Sequence, residues 1–108
     1  LSEQDTTRAT IEAVNASDVA IVWRNQSGSV RVRRGYMHLA PKGSPDIVGI
    51  LRDGRFVGLE MKKPGEKPSS VQEEWRLRFL ASGGVAACAY SVEEALCVLR
   101  GALKSGAA

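Results

Sequence analysis

The stretch Asp46-Ile47-Val48-Gly49-Ile50-Leu51-Arg52-Asp53-Gly54-Arg55-Phe56-Val57-Gly58-Leu59-Glu60-Met61-Lys62 decides how this chain folds. Its first part is an apolar run suited to a buried strand. Asp53-Gly54 is a strong hairpin signal, and Phe56 to Lys62 forms the returning strand, stopped by Pro64-Gly65. Side chains alternate along a strand, so Val57, Leu59 and Met61 point one way while Gly58, Glu60 and Lys62 point the other. Charged groups on a buried strand are costly unless they are paired or bind an ion. Asp46, which begins the preceding strand, comes back beside Glu60 or Lys62 through the hairpin. Two carboxylates and a lysine make a site for a hard divalent cation with oxygen ligands. Lys62 is then placed to hold an attacking water or neutralise a phosphate oxygen. The plainer alternative, a structural ion pair, leaves one charge unpaired.

Register is the test. A strict two-residue turn at Asp53-Gly54 pairs Arg52 with Arg55 and sets Asp46 across from Met61, on the wrong face. A three-residue loop with a bulge, or a bulge within either strand, shifts pairing by one and puts Asp46 on the face of Glu60 and Lys62. The metal reading requires that shift.

Beyond Pro64-Gly65, Lys67-Pro68 leads to Ser69 or Ser70 as a helix cap, since Ser69-x-x-Gln72 and Ser70-x-x-Glu73 both fit a capping box. The helix runs to about Ala81 and ends at Gly83-Gly84, with Trp75 and Phe79 on its inward face as core. Val85 to Tyr90 is a short apolar strand. Ser91-x-x-Glu94 caps a last helix with Ala95, Leu96, Leu99 and Leu103 as its apolar stripe, followed by a frayed small-residue tail. In the other direction, Ala40 to Pro45 is a loop. Val19 to Trp23 is an apolar strand, Asn25 to Ser29 is a turn cluster, and Val30 to Arg34 alternates apolar and basic before Gly35, which together read as a basic hairpin. Ser2 precedes a helix over 3–16 with Thr7, Ile11 and Val14 on one face. The order α-β-β-β-β-α-β-α implies an α/β fold, a mixed sheet flanked by helices.

At 108 residues the chain is one domain, 1–108, and its 44% hydrophobic and 25% charged residues are globular values. No apolar run approaches the roughly 20 residues that span a bilayer. Leu1-Ser2-Glu3-Gln4-Asp5 offers neither a basic start nor an apolar run, so the expected compartment is the cytoplasm. Cys88 and Cys97 lack metal-knuckle spacing and read as small core filler. The net charge is only +3, but from Val19 to Pro45 there is no Asp or Glu, while Arg24, Arg31, Arg33, Arg34 and Lys42 are all basic. Such a patch, with Trp23 and Tyr36 inside it, suits phosphate backbones. A solvated hairpin that keeps the protein soluble fits its size equally well.

The residues also carry a resemblance. Gly43-Ser44-Pro45-Asp46-Ile47, then the hairpin, then Glu60-Met61-Lys62 and Ser70-Val71-Gln72 resemble the PD-(D/E)XK nuclease superfamily, specifically its VRR-NUC family. The likeness runs from Glu3 to Leu99 and includes Trp23-Arg24-Asn25 with Gly28 following, Gly84, and Ser91-Val92-Glu93-Glu94-Ala95. It implies a restriction-endonuclease-like core and DNA phosphodiester hydrolysis dependent on Mg²⁺ or Mn²⁺. Asp46, Glu60 and the Met61 backbone carbonyl would ligate the ion, Lys62 would assist the water, and Gln72 would support the site from the adjoining helix. The family also places an acid on the first helix. Glu3 matches it, acting directly or through a water, and periodicity agrees: Glu3 shares the inward stripe of Thr7 and Ile11, whereas Glu12 lies opposite. Standalone members of the family are associated with homodimers that cut four-way junctions, and the hairpin from Val30 to Met37 is the candidate for both dimer contact and DNA groove.

Plainer readings stand beside these. Glu3 could be a first-turn acid complementing the helix dipole, and Gln72 the reciprocal arm of a capping box with Ser69. His38 reads as a phosphate or water contact rather than a general base. Lys63, Lys67 and Arg76 either touch DNA or form a solvated charge run. A monomeric flap or single-strand nuclease and a non-catalytic DNA-binding module are the competing functions.

Overall fold

Each helix begins at a serine whose hydroxyl accepts the backbone N–H three residues on: Ser2 from Asp5, Ser69 from Gln72 and Ser91 from Glu94. These caps frame a computed structural model that describes residues 2–26 and 29–106. The elements are α1 (Glu3–Ala16), β1 (Ala20–Arg24), β2 (Ser29–Val32), β3 (Gly35–His38), β4 (Ile47–Leu51), β5 (Phe56–Met61), α2 (Ser70–Ala81), β6 (Val85–Ala89) and α3 (Val92–Ser105). Ser27 and Gly28 of the turn cluster, Ala107 and Ala108 of the tail, and the side chain of His38 lie outside the described residues.

Four strands form one mixed sheet in the order β1-β4-β5-β6, antiparallel except for the parallel β5–β6 pair. This is the expected fold class, with one difference in strand pairing. The strand after α1 does not pair with the basic strand that follows it. It pairs with β4, from Ala20↔Leu51 to Arg24↔Ile47, while the basic hairpin is a separate ribbon of β2 and β3. Gly35–His38 is thus a fifth strand ahead of α2. The physical reason is burial: Ala20 and Val22 reach the core only by joining the central sheet, whereas the ribbon has no covered face to gain.

Val22, Ile47, Leu51, Val57, Leu59, Met61, Val85 and Ala89 line one face of the sheet and pack on Val14 of α1 and on Ala95 and Leu99 of α3. The outer edge of β1 is closed by Asn15, whose amide accepts from the Val22 N–H at 2.8 Å and donates to the Val22 carbonyl at 3.0 Å. On the opposite face lie Ile21, Trp23, Val48, Ile50, Phe56, Gly58 and Glu60, and α2 covers only the β5–β6 half. No residue of α2 is fully buried. Trp75 and Phe79 are therefore half-buried rather than core, with Phe79 stacked on Phe56 at 5.0 Å between ring centroids. The cysteines also depart from expectation: Cys88 is half-buried and Cys97 is exposed on α3. Among the described residues no helix is long and apolar enough to cross a membrane.

Candidate metal centre and active site

The β4–β5 connection is a three-residue loop. The Leu51 N–H donates to the Arg55 carbonyl and the Gly54 N–H to the Leu51 carbonyl, both at 2.8 Å, and Gly54 takes a φ of +98°. That left-handed glycine makes the bulge that the metal reading required. Pairing then runs Ile50↔Phe56, Gly49↔Val57, Val48↔Gly58 and Ile47↔Leu59. One step further, Asp46 stands opposite Glu60. Because Leu51 and Arg55 form a hydrogen-bonded pair, every second pair does so, and Asp46–Glu60 falls at a non-hydrogen-bonded position, where opposed side chains approach most closely.

The next pair outward sets Pro45 against Met61. At a hydrogen-bonding position Pro45 has no N–H to donate, so the ladder on that side of β5 ends and the Met61 carbonyl is not taken by β4. On the other side, the Lys62 N–H donates to the Ala89 carbonyl at 3.0 Å, which holds the end of β5 to β6. Two carboxylates, one carbonyl and Lys62 thus meet at one end of the sheet.

Glu60 is 8% exposed. Burial, followed by the Asp46 carboxylate alongside it, pushes its carboxyl from the usual 4.5 up to about 9, with Lys62 pulling the other way and Glu3 adding a smaller push. Glu3, at the start of α1, is thus within electrostatic range of Glu60, whereas Glu12 is exposed in a cleft with Arg8 and Arg24. No group of three or more His, Cys, Asp or Glu side chains with metal-binding spacing forms among the described residues. The oxygens brought together here are those of the Asp46 and Glu60 carboxylates and the Met61 carbonyl.

Gln72 and Glu60 share a narrow crevice between α2 and the sheet, along with Arg76 and Cys88. The Gln72 Oε1 accepts from the Ser69 N–H at 2.8 Å, so this side chain closes a capping box, and its NH₂ is the part left for the crevice. Burial raises the pKa of the Cys88 thiol beside it. Arg76 is ion-paired to Glu73. Arg24, Arg31, Arg33, Arg34 and Lys42 are exposed and make no ion pair with a carboxylate among the described residues.

Sequence reading passed over Asn25, which it placed in a turn cluster. Its backbone N–H donates to the Asp46 carbonyl at 2.7 Å, and its Nδ2 donates to Ser44 Oγ and to the Pro45 carbonyl, each at 2.9 Å. Ser44 Oγ in turn donates to the Pro41 carbonyl at 2.7 Å. Asn25 clamps the segment that delivers Asp46, from a position about twenty residues away in the chain. Pro45 was the available local signal, since a proline at a strand's start marks where a ladder must stop.

No family model matches the chain, and no curated protein does. Among solved structures it is similar to one described as a "VRR_NUC domain", with 19% identity and a TM-score of 0.63 over 93% of this chain and 97% of that one. At that coverage the likeness extends to the whole arrangement of sheet and helices, and the chain has the mixed α/β fold of a VRR_NUC domain.

Proposed function

We propose that this chain is a VRR-NUC nuclease, a divalent-metal-dependent endonuclease that hydrolyses DNA phosphodiester bonds in branched DNA such as four-way junctions, working as a homodimer. The observation that carries this reading is the opposition of Asp46 and Glu60 across a bulged hairpin, with Lys62 on the same face. Asp46, Glu60 and the Met61 carbonyl would hold Mg²⁺ or Mn²⁺. An oxygen-only set with two carboxylates, leaving positions for water and phosphate, fits the habits of Mg²⁺. Such an ion, when bound, would supply Lewis-acid polarisation of the phosphoryl oxygen and a more acidic water.

The remaining steps belong to the chain. Lys62 holds the attacking water or neutralises a phosphate oxygen. Glu3 would help to hold the ion, directly or through water, and the Gln72 NH₂ would support the site from α2. Asn25 keeps Asp46 in place. The free cations Arg24, Arg31, Arg33, Arg34 and Lys42 bind phosphates and release counterions. A junction with two-fold symmetry needs two symmetric nicks, which a C₂ pair of sites supplies.

The test is nicking of a four-way junction, a flap and a linear duplex in Mg²⁺ and in Mn²⁺. Lys62→Ala and Asp46→Asn should each lower the rate by about 100-fold or more while the protein stays folded. Wild-type rates in either variant refute the catalytic assignment.

A further inference from the structure

At the end of β5 away from the acid pair, the second half of α2 and the β4–β5 hairpin enclose an open groove of about 460 Å³. That volume lies within the roughly 300–1,000 Å³ common for ligand sites. Its floor is aromatic. Phe56 and Phe79 stack at 5.0 Å between ring centroids, and Trp75 meets Phe79 edge-on at 6.4 Å. None of the three rings is fully buried, and Phe56 is 48% exposed. Trp75 is fixed twice: its Nε1–H donates to the Lys42 carbonyl at 3.0 Å, and the Arg78 guanidinium lies over its ring, 4.5 Å from the centroid. A surface held in this way gives up little freedom when something binds to it.

Charge narrows what suits the groove. Among the described residues no carboxylate lines it. Arg55, at one end, is ion-paired to Asp53 at 2.7 Å and also donates to the Ala102 carbonyl at 2.6 Å, so its charge is already answered. Arg78 makes no ion pair among the described residues. The groove therefore sets one uncompensated cation beside an aromatic floor. Its rim is low at Gly54 and Gly83, where an added β-carbon would meet no atom within 4 Å, so a flat group can enter. An aliphatic segment would use the rings and leave Arg78 unmatched, whereas a planar ring that carries a phosphate uses both.

The groove also lies along a line to the acid pair. Phe56 and Glu60 project from the same face of β5, four residues apart in the sequence, which is about 13 Å along the strand. Successive nucleotides of one DNA strand rise by about 3.4 Å, so the interval corresponds to about four nucleotides. We propose that this groove takes an unpaired nucleotide of the DNA substrate, its base stacked against Phe56, Phe79 and Trp75 and its phosphate on Arg78, about four nucleotides from the scissile bond. Paired bases keep their faces hidden in the stack, so the groove favours a strand with a free base, as in a flap, a fork or an opened junction arm. Binding in the groove is argued from its own chemistry; the spacing from the scissile bond rests on the nuclease reading.

The test titrates the isotope-labelled full chain with a thymidine octamer in EDTA, followed by NMR. The Trp75 indole N–H and the Gly83 amide should shift. An octamer of abasic residues, which keeps the phosphates and lacks the bases, should bind about tenfold more weakly and leave the Trp75 indole in place. Phe56→Ala should bind the two octamers alike; Arg78→Ala, at an exposed position, should weaken binding of the thymidine octamer and serves if Phe56→Ala lowers the urea midpoint. In Mg²⁺, a flap made abasic at single unpaired positions should be cut more slowly when the change lies about four nucleotides from the nick, in the wild type and not in Phe56→Ala. Equal affinity of the wild type for the two octamers, or a Trp75 indole unmoved at saturation, overturns the proposal. Displacement of the octamer by an equal concentration of thymidine monophosphate marks a free-nucleotide site and overturns it too. Cleavage with no dependence on a free base leaves the nuclease reading standing and refutes the role of the groove in it. Base-dependent binding without any cleavage removes the nuclease reading and keeps the groove.

Discussion

Replacing Asn25 with alanine removes two hydrogen bonds from Nδ2, to Ser44 Oγ and to the Pro45 carbonyl, and keeps the backbone bond to Asp46. Each neutral bond contributes about 1 kcal/mol net, so the fold should lose about 1–2 kcal/mol. For a domain of this size that lowers the urea midpoint by about 1 M. The catalytic effect should be larger. Freed of its clamp, the Ser44-Pro45 segment lets the Asp46 carboxylate wander, and a misplacement of about 1 Å costs about 100-fold in rate. The assay is single-turnover nicking over a Mg²⁺ titration, run well below the urea transition. Asn25→Ala should need more Mg²⁺ for half-maximal rate and should fall short at saturation. Asn25→Asp, which keeps the shape but cannot donate to Pro45, should behave in the same way. If Asn25→Ala loses the stability increment but cleaves like the wild type at every Mg²⁺ concentration, the clamp serves only the fold and its positioning role is refuted.

Three further substitutions probe the sheet, its hairpin and the acid pair. At Gly49 a β-carbon would press into the Ile21 carbonyl oxygen and lie 2.7 Å from the Val22 Cα, both backbone; Gly49→Ala should therefore cost about 3 kcal/mol in a thermal melt, against about 1 kcal/mol for Gly54→Ala, where φ is +98° but no atom is near. Glu60→Gln should stabilise the metal-free protein. With a carboxyl held near 9 in the fold and about 4.5 unfolded, the folded state binds the extra proton. The stability this gives is complete below about pH 4.5 and is lost as pH rises through about 9. Over the climb to pH 7 the loss is at most about 3 kcal/mol, which glutamine does not suffer. Urea melts in EDTA should show Glu60→Gln ahead of the wild type at pH 7 and level with it at pH 4.5. Equal differences at the two values would contradict the burial argument.

What the sequence revealed depended on how local the cause was. The serine caps of α2 and α3, the limits of α1 and α2 and the bulged hairpin all follow from residues within a short stretch of chain. The hairpin was legible because only one register brings Asp46 and Glu60 to a common face. The partner of β1 was not legible, since Trp23 pairs with Val48 across an inserted ribbon, and nothing near Trp23 signals that distance. Strand β3 escaped because Tyr36 and Met37 are both exposed and leave no burial pattern to read. Asn25 looked like a turn residue for the same reason: its partners lie far along the chain. Cys97 was misplaced because residue type alone does not say which side of α3 a cysteine occupies.

The ribbon enters after Arg24 and leaves before Ile47, two residues that face each other across paired strands. Its ends are therefore already pinned together, with the Asn25–Asp46 bond closing the gate beneath them. An insert rooted in this way resembles an interchangeable tool head. It can be lengthened, recharged or exchanged at little entropic cost, while the carboxylates below keep their spacing. If the proposed nuclease activity holds, preference for one nucleic-acid shape over another would drift, or be engineered, without touching Asp46, Glu60 or Lys62.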